Sequence, residues 1–204
     1  MPPDSAPIVP RLEWLPFLSR RDDVRWIRAW EWAEDTYARG DETMGRGWHD
    51  DRYTRLIATG ANRDLFERAG ERLLRYDFYP HTLIEHSSRA AQANRSLRLN
   101  DRIVQRIHVV PGLLDAVTAT RVSDVIREPR RLGLAYVTTE AHFEIGEWWC
   151  WVEWQPAATL TVNLRSISRP GPRLPRWQRP FARRLQLRAH AAGLARFAAL
   201  VAAP

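Results

Sequence analysis

The chain's 204 residues can bury one hydrophobic core without disulfide or metal staples, and 45% hydrophobic with 27% charged residues excludes wholesale disorder. All 31 basic residues are arginine, a bias that a GC-rich codon usage produces, so the formal net charge of +7 is not in itself a nucleic-acid signal. The missing lysine excludes side-chain Schiff bases (hence pyridoxal-phosphate enzymes and lysine aldolases) and any Walker A loop; GxGxxG is absent too, so no cofactor is expected.

In chain order, residues 1–18 are proline-rich and read as irregular, with Trp14 and Phe17 as anchors. They lack the basic start and apolar run of a signal peptide. Ser19 and Asp22 have capping-box spacing, and Trp26, Trp30, Ala33 and Tyr37 recur at helical intervals, so a helix is predicted up to Gly40. Residues 40–62, with four glycines, read as a loop. A second helix is predicted over 64–76, capped by Asn62, with Phe66, Ala69 and Leu73 inward. The period then changes to two, which predicts strands at 82–91, 103–110, 114–126, 132–139, 147–155 and 158–167. A stiff proline-rich crossover at 168–180 leads into a final helix over 180–202, whose Leu187, His190, Leu194, Phe197 and Val201 share one face.

Helices, then strands, then one long helix make an α+β fold: a curved antiparallel sheet of about six or seven strands gripping the C-terminal helix, with an added N-terminal helical segment. Residues 1–62 are assigned to a Trp-rich extension packed on the body, and 63–204 to the helix-grip domain. With Cys150 as the sole cysteine there is no intrachain disulfide, which suits the cytoplasm. His190 and Arg196 interrupt the apolar tail at 189–203, which falls short of the roughly 20 apolar residues of a bilayer span, so no membrane insertion is expected.

The run Gly133-Leu134-Ala135-Tyr136-Val137-Thr138, continuing through His142, Glu144, Gly146 and Glu147, is familiar, as is Ser168-Arg169-Pro170 followed by Arg184, Gln186 and Arg188. Together they resemble the DUF1990 (UPF0548) family over about residues 64–200. The chain departs from that family at 137–143, where the family carries a Gly-Thr-Leu-Pro-Gly-His-Pro loop. The resemblance implies a fold similar to the START/Bet v 1-like (SRPBCC) helix-grip superfamily. Members of that superfamily carry lipids, steroids or polyketides, and some are cyclases or hydrolases.

Three constellations could carry chemistry. Tyr136, His142 and Glu144 pair a hydroxyl that can steady an oxyanion with an imidazole beside a carboxylate, a general-base arrangement; the competing reading is a polar hairpin satisfying its own turn. Trp148, Trp149, Trp151 and Trp154, with Glu147 beside them, are the candidate ligand-binding wall. Alternation sends Trp148 and Trp154 to one sheet face, under the last helix, and Trp149 and Trp151 to the other, where the N-terminal Trp helix is the expected cover; plain core packing competes with the wall reading. His190 lies on the apolar stripe of the last helix and gains a catalytic reading if Glu85 or Glu144 reaches it. The six histidines form no HxxxH or HExxH, so no metal site is expected. Cys150, between tryptophans, is a poor nucleophile.

The leading function is therefore binding of a small hydrophobic or aromatic molecule between sheet and C-terminal helix, with or without cofactor-independent acid-base chemistry of the cyclase, isomerase or hydrolase kind. One alternative binds nucleic acid or an acidic partner through the acid-free run from Arg165 to Arg188. Another is a non-catalytic, dimerising protein with the N-terminal Trp helix as its interface.

Overall fold

The computed structural model describes residues 8–16, 23–43 and 45–203. Eight antiparallel strands form one curved sheet, and a 24-residue helix closes the chain. In chain order the elements are β1 (Arg11–Trp14), α1 (Asp23–Ala29), β2 (His49–Ala58), α2 (Arg63–Leu74), β3 (Ile84–Ser87), α3 (Arg89–Gln92), β4 (Arg102–Val110), β5 (Leu114–Glu128), β6 (Arg131–Thr138), β7 (Glu144–Trp154), β8 (Leu160–Pro170) and α4 (Arg179–Ala202). The sheet runs β2-β8-β7-β6-β5-β4-β3, with β1 beside the first residues of β5. β5 makes this possible: its far half pairs with β6 from Thr120 onward, while Leu114 to Val117 pair with β1.

Four expectations change. Residues 40–62 are not all loop, because β2 lies there along β8. Its charged residues and mostly half-buried or exposed pattern hide the inward alternation, as edge strands commonly do. The proline-rich N-terminus supplies β1, whose partner lies about a hundred residues away and leaves no local signal. The first helix stops at Ala29 instead of running to Gly40, because the backbone further on is captured by β6: Asp35 bridges Thr139, the Thr36 amide donates to the Thr138 carbonyl at 3.0 Å, and Asp35 pairs with Arg121. The Ser19–Asp22 capping box and Phe17 lie outside the described residues. The strand expected over 82–91 shortens to four residues, because Ser88 caps α3 by accepting the Ala91 amide at 3.0 Å. Helix α2 starts at the predicted Asn62 cap, whose side chain accepts the Leu65 amide.

Two cores result. The larger fills the concave side, where α2 and α4 meet the sheet through Phe66, Leu73, Phe78, Trp148, Leu164 and Phe197. The smaller lies on the convex side, where Trp26 and Trp30, stacked at 4.7 Å, bury Val104, Val117 and Ala119 of β4 and β5. The N-terminal helix thus covers β4 and β5, not the Trp149 and Trp151 face of β7.

Helix α4 has two unlike halves. From Ala189 onward it buries Ala189, His190, Gly193, Leu194, Phe197, Ala198 and Val201; no earlier residue of the helix is buried. Gly193 permits the tight half, since a Cβ there would sit on the Phe78 ring. The first half stands off the sheet.

Candidate active site in the cavity under α4

The stand-off leaves a cavity of about 540 Å3 between the first half of α4 and the concave face of β4 to β8. Its walls are mostly apolar, with polar atoms gathered in two places.

At the inner place Tyr136 stacks on Trp148, centroids 4.9 Å apart and planes at 16°. Its neighbours are Gln105, Tyr76 and Tyr79, and the Gln105 amide donates to the Tyr76 hydroxyl at 2.5 Å. Burial raises the Tyr136 hydroxyl above its ordinary pKa and those of Tyr76 and Tyr79 well above theirs, so the cluster stays neutral. The Trp148 indole N–H is buried with no partner among the described residues.

The second place is built around Glu144, the first residue of β7. Burial is the largest influence on its carboxyl and raises it to about 7, against a smaller opposing pull from Arg183. The Gln186 side-chain N–H group donates to Glu144 Oε2 at 3.1 Å and to the Ser168 hydroxyl at 2.8 Å. Arg183 orients that amide by donating to its oxygen at 2.6 Å, and is itself paired with Asp51 of β2. A chain of contacts therefore runs from Asp51 through Arg183 and Gln186 to Glu144.

His142 lines the same end, but the expected carboxylate–imidazole contact is absent. Instead the Glu144 backbone N–H donates to His142 Nδ1 at 3.0 Å. The same Nδ1 lies 3.2 Å from the Glu144 carbonyl; when it accepts from the N–H, the neutral ring carries its proton on Nε2. Burial lowers His142 to about 4, so the imidazole is a neutral donor, not a base of enhanced strength. His190 also faces the cavity from α4, edge-on to Tyr53 with centroids 5.9 Å apart. Burial lowers it to about 4, and its Nδ1 has no partner among the described residues. Neither Glu85 nor Glu144 reaches it; Glu85 lies against His108 at 3.5 Å.

The structure thus gathers Tyr136, His142, Glu144, His190 and Trp148 on one cavity and scatters the rest of the proposed wall. Trp149 points to the convex face beneath Arg39, 4.8 Å from guanidinium to ring, and Trp151 reaches Glu153 on that same face. Glu147 borders the cavity, but its carboxylate is buried on the convex side, held by Arg39 at 3.4 Å and Ser123 at 3.2 Å. Trp154 stacks on Phe66 and donates to the Ala61 carbonyl at 3.1 Å, a core role. Cys150 is fully buried, and burial pushes its thiol well up.

Sequence reasoning missed Gln186, Ser168 and Gln105 as site residues. Gln186 was legible, being one helical turn before His190 on the same face. Ser166 and Ser168 alternate inward on β8, but small hydroxyls carry no strong pattern signal. Among the described residues no three or more His, Cys, Asp or Glu side chains gather as a metal site. The Arg165–Arg188 run is divided: Arg165 pairs with Asp50, Arg183 with Asp51, and Arg169 lies over Trp48.

The chain is similar to several solved structures. A hypothetical protein of Helicobacter pylori, jhp0584, superposes with a TM-score of 0.52 at 15% identity, over 76% of this chain and 87% of its own. The Zhui aromatase/cyclase from Streptomyces sp. R1128 gives 0.47 at 16% identity, over 76% and 93%. Major latex-like protein 151 of Panax ginseng gives 0.42 at 11% identity, over 74% and 98%. No curated protein matches the chain. Residues 33–196 match the family described as a domain of unknown function, DUF1990, so the match takes in β2 as well as the motifs around Tyr136 and Ser168. The chain belongs to the DUF1990 family, built on a helix-grip α+β fold.

Proposed function

We propose that the protein takes a small, largely apolar organic molecule into the cavity beneath the first half of α4 and exchanges a proton with it through Glu144. The observation that carries this reading is the cavity itself: about 540 Å3, walled mainly by apolar side chains, with its polar atoms converging at Glu144 and at Tyr136. A volume of that order holds a ligand of drug-like size. A carboxyl near 7 can give or take a proton at neutral pH, the condition for general acid-base work. In this reading His142 donates from Nε2 to a polar atom of the guest, His190 offers Nδ1 as an acceptor, and Tyr136 donates from the inner end. Trp148 supplies an aromatic wall. The Gln186–Arg183–Asp51 chain positions the Glu144 carboxyl.

Native mass spectrometry of the protein purified from its own host, beside an Ala189→Trp variant, tests this. Ala189 lines the cavity and is buried, so an indole there occupies the guest's space. The wild type is expected to carry a small organic molecule that the folded variant lacks. No guest in the wild type, or equal occupancy in both, would defeat the proposal.

A further inference from the structure

Five residues line the cavity and are at the same time exposed to solvent, so together they mark its mouth: Leu12 and Trp14 of β1, Val110 at the end of β4, Trp177 before α4, and Phe181 in its first turn. All five are apolar. Trp14 is 66% exposed, Trp177 79% and Phe181 51%. Large aromatics from two distant parts of the chain, Trp14 and the 177–181 stretch, are held out into water around one opening.

Beside the Trp177 and Phe181 side of the rim the charge has one sign. Arg176 precedes Trp177, while Arg184 and Arg188 follow Phe181 by three and seven residues and share its stripe of the helix. All three are exposed, and none forms an ion pair with a carboxylate among the described residues. The stretch from Arg165 to Arg188 contains no acid.

We propose that this mouth docks on an anionic bilayer surface. Exposed Trp and Phe beside unpaired arginines match the two attractions that hold a protein at a lipid interface: apolar burial at the headgroup level and charge against acidic lipid. The apolar rim also continues without a break into the apolar cavity, so a guest passing between bilayer and cavity would not cross water. An acidic protein partner would answer the arginines but not that continuity. Helix α4 is not long and apolar enough to cross a membrane, which makes the contact peripheral.

Flotation of the full chain with vesicles tests the idea. Vesicles of phosphatidylcholine and phosphatidylglycerol in equal parts should carry the protein upward, and vesicles of phosphatidylcholine alone should not. Trp177→Ala with Phe181→Ala should weaken the association about tenfold or more. Arg176→Gln, Arg184→Gln and Arg188→Gln together should weaken it about a hundredfold at low salt and flatten its salt dependence. Trp32→Ala removes a tryptophan that is 81% exposed but lies off the rim, and should change nothing. Equal flotation with both vesicle types, or an equal loss in the Trp32 variant, overturns the proposal. So does a chain that ignores vesicles yet binds soluble polyglutamate through the same arginines, which would assign them to an acidic protein. Because the mutated side chains are exposed and the guest is detected separately by mass, failure here leaves the reading of the cavity standing.

Discussion

Glu144 carries a proton that its surroundings keep. Its folded value of about 7 lies above the ordinary 4.5, so between those two values the folded chain holds a proton that the unfolded chain has released. Stability from this group is therefore full below 4.5 and is lost as pH rises toward 7. Glu144→Gln removes that loss while keeping an acceptor for Gln186. Thermal melts across this range should show the variant gaining on the wild type by a few degrees as pH rises; a gap that stays constant would mean that Glu144 ionises as an ordinary surface carboxylate does. His142, Glu144, Tyr136 and Trp148 were legible from spacing, since hairpin and strand alternation bring them to one face. The direction of the His142 bond was not, because a short turn lets a backbone amide reach Nδ1 before the longer carboxylate arm does. Trp149 and Trp151 do not line the cavity for the reason the alternation itself supplies: odd positions of β7 turn their side chains off the concave face.

Glycines show how tightly the elements are set. Gly193 in α4 would ordinarily favour alanine by about 1 kcal/mol, yet a Cβ there lands on the fully buried Phe78 ring. Gly193→Ala should therefore lower stability, by about 1–3 kcal/mol in denaturant unfolding. Gly133→Ala should cost more, because its Cβ meets the Cys150 carbonyl and the Trp151 backbone, and parting β6 from β7 means breaking ladder bonds. A stabilised Gly193→Ala would mean that Phe78 yields and that α4 is less firmly seated than its buried half implies. The six strands from β3 to β8 and helices α2 and α4 were readable because each carries its own period or cap. β1, β2 and the early end of α1 were not, because long-range pairing decides them: β1 with β5, β2 with β8, and residues 35–36 with the end of β6.

Over the whole molecule, charge buried on the convex side fastens β1 to the sheet. Arg106, almost wholly buried, donates to Glu13 of β1 at 2.6 Å and to Asp115 of β5 at 3.1 Å, while Asp115 also meets His108 at 2.8 Å. Arg106→Met would take the guanidinium from the fully buried Asp115 carboxylate and leave it the His108 contact, which should cost about 3–5 kcal/mol, and less where solvent can follow the loosened β1 inward. An unfolding free energy unchanged within error would show that the pair is dispensable. The single sheet and its closing helix followed from the order of elements; the second core did not, since nothing local tells α1 which stretch of the convex face to cover. The route taken by β1 bears on kinetics. One jamb of the cavity's doorway, Leu12 and Trp14, comes from near the start of the chain, and the other, Trp177 and Phe181, from the approach to its last helix, while the seat for a guest is made by strands in between. Under the proposed reading of the cavity, residence time and affinity would be encoded in different stretches of sequence, so one could drift while the other stays put.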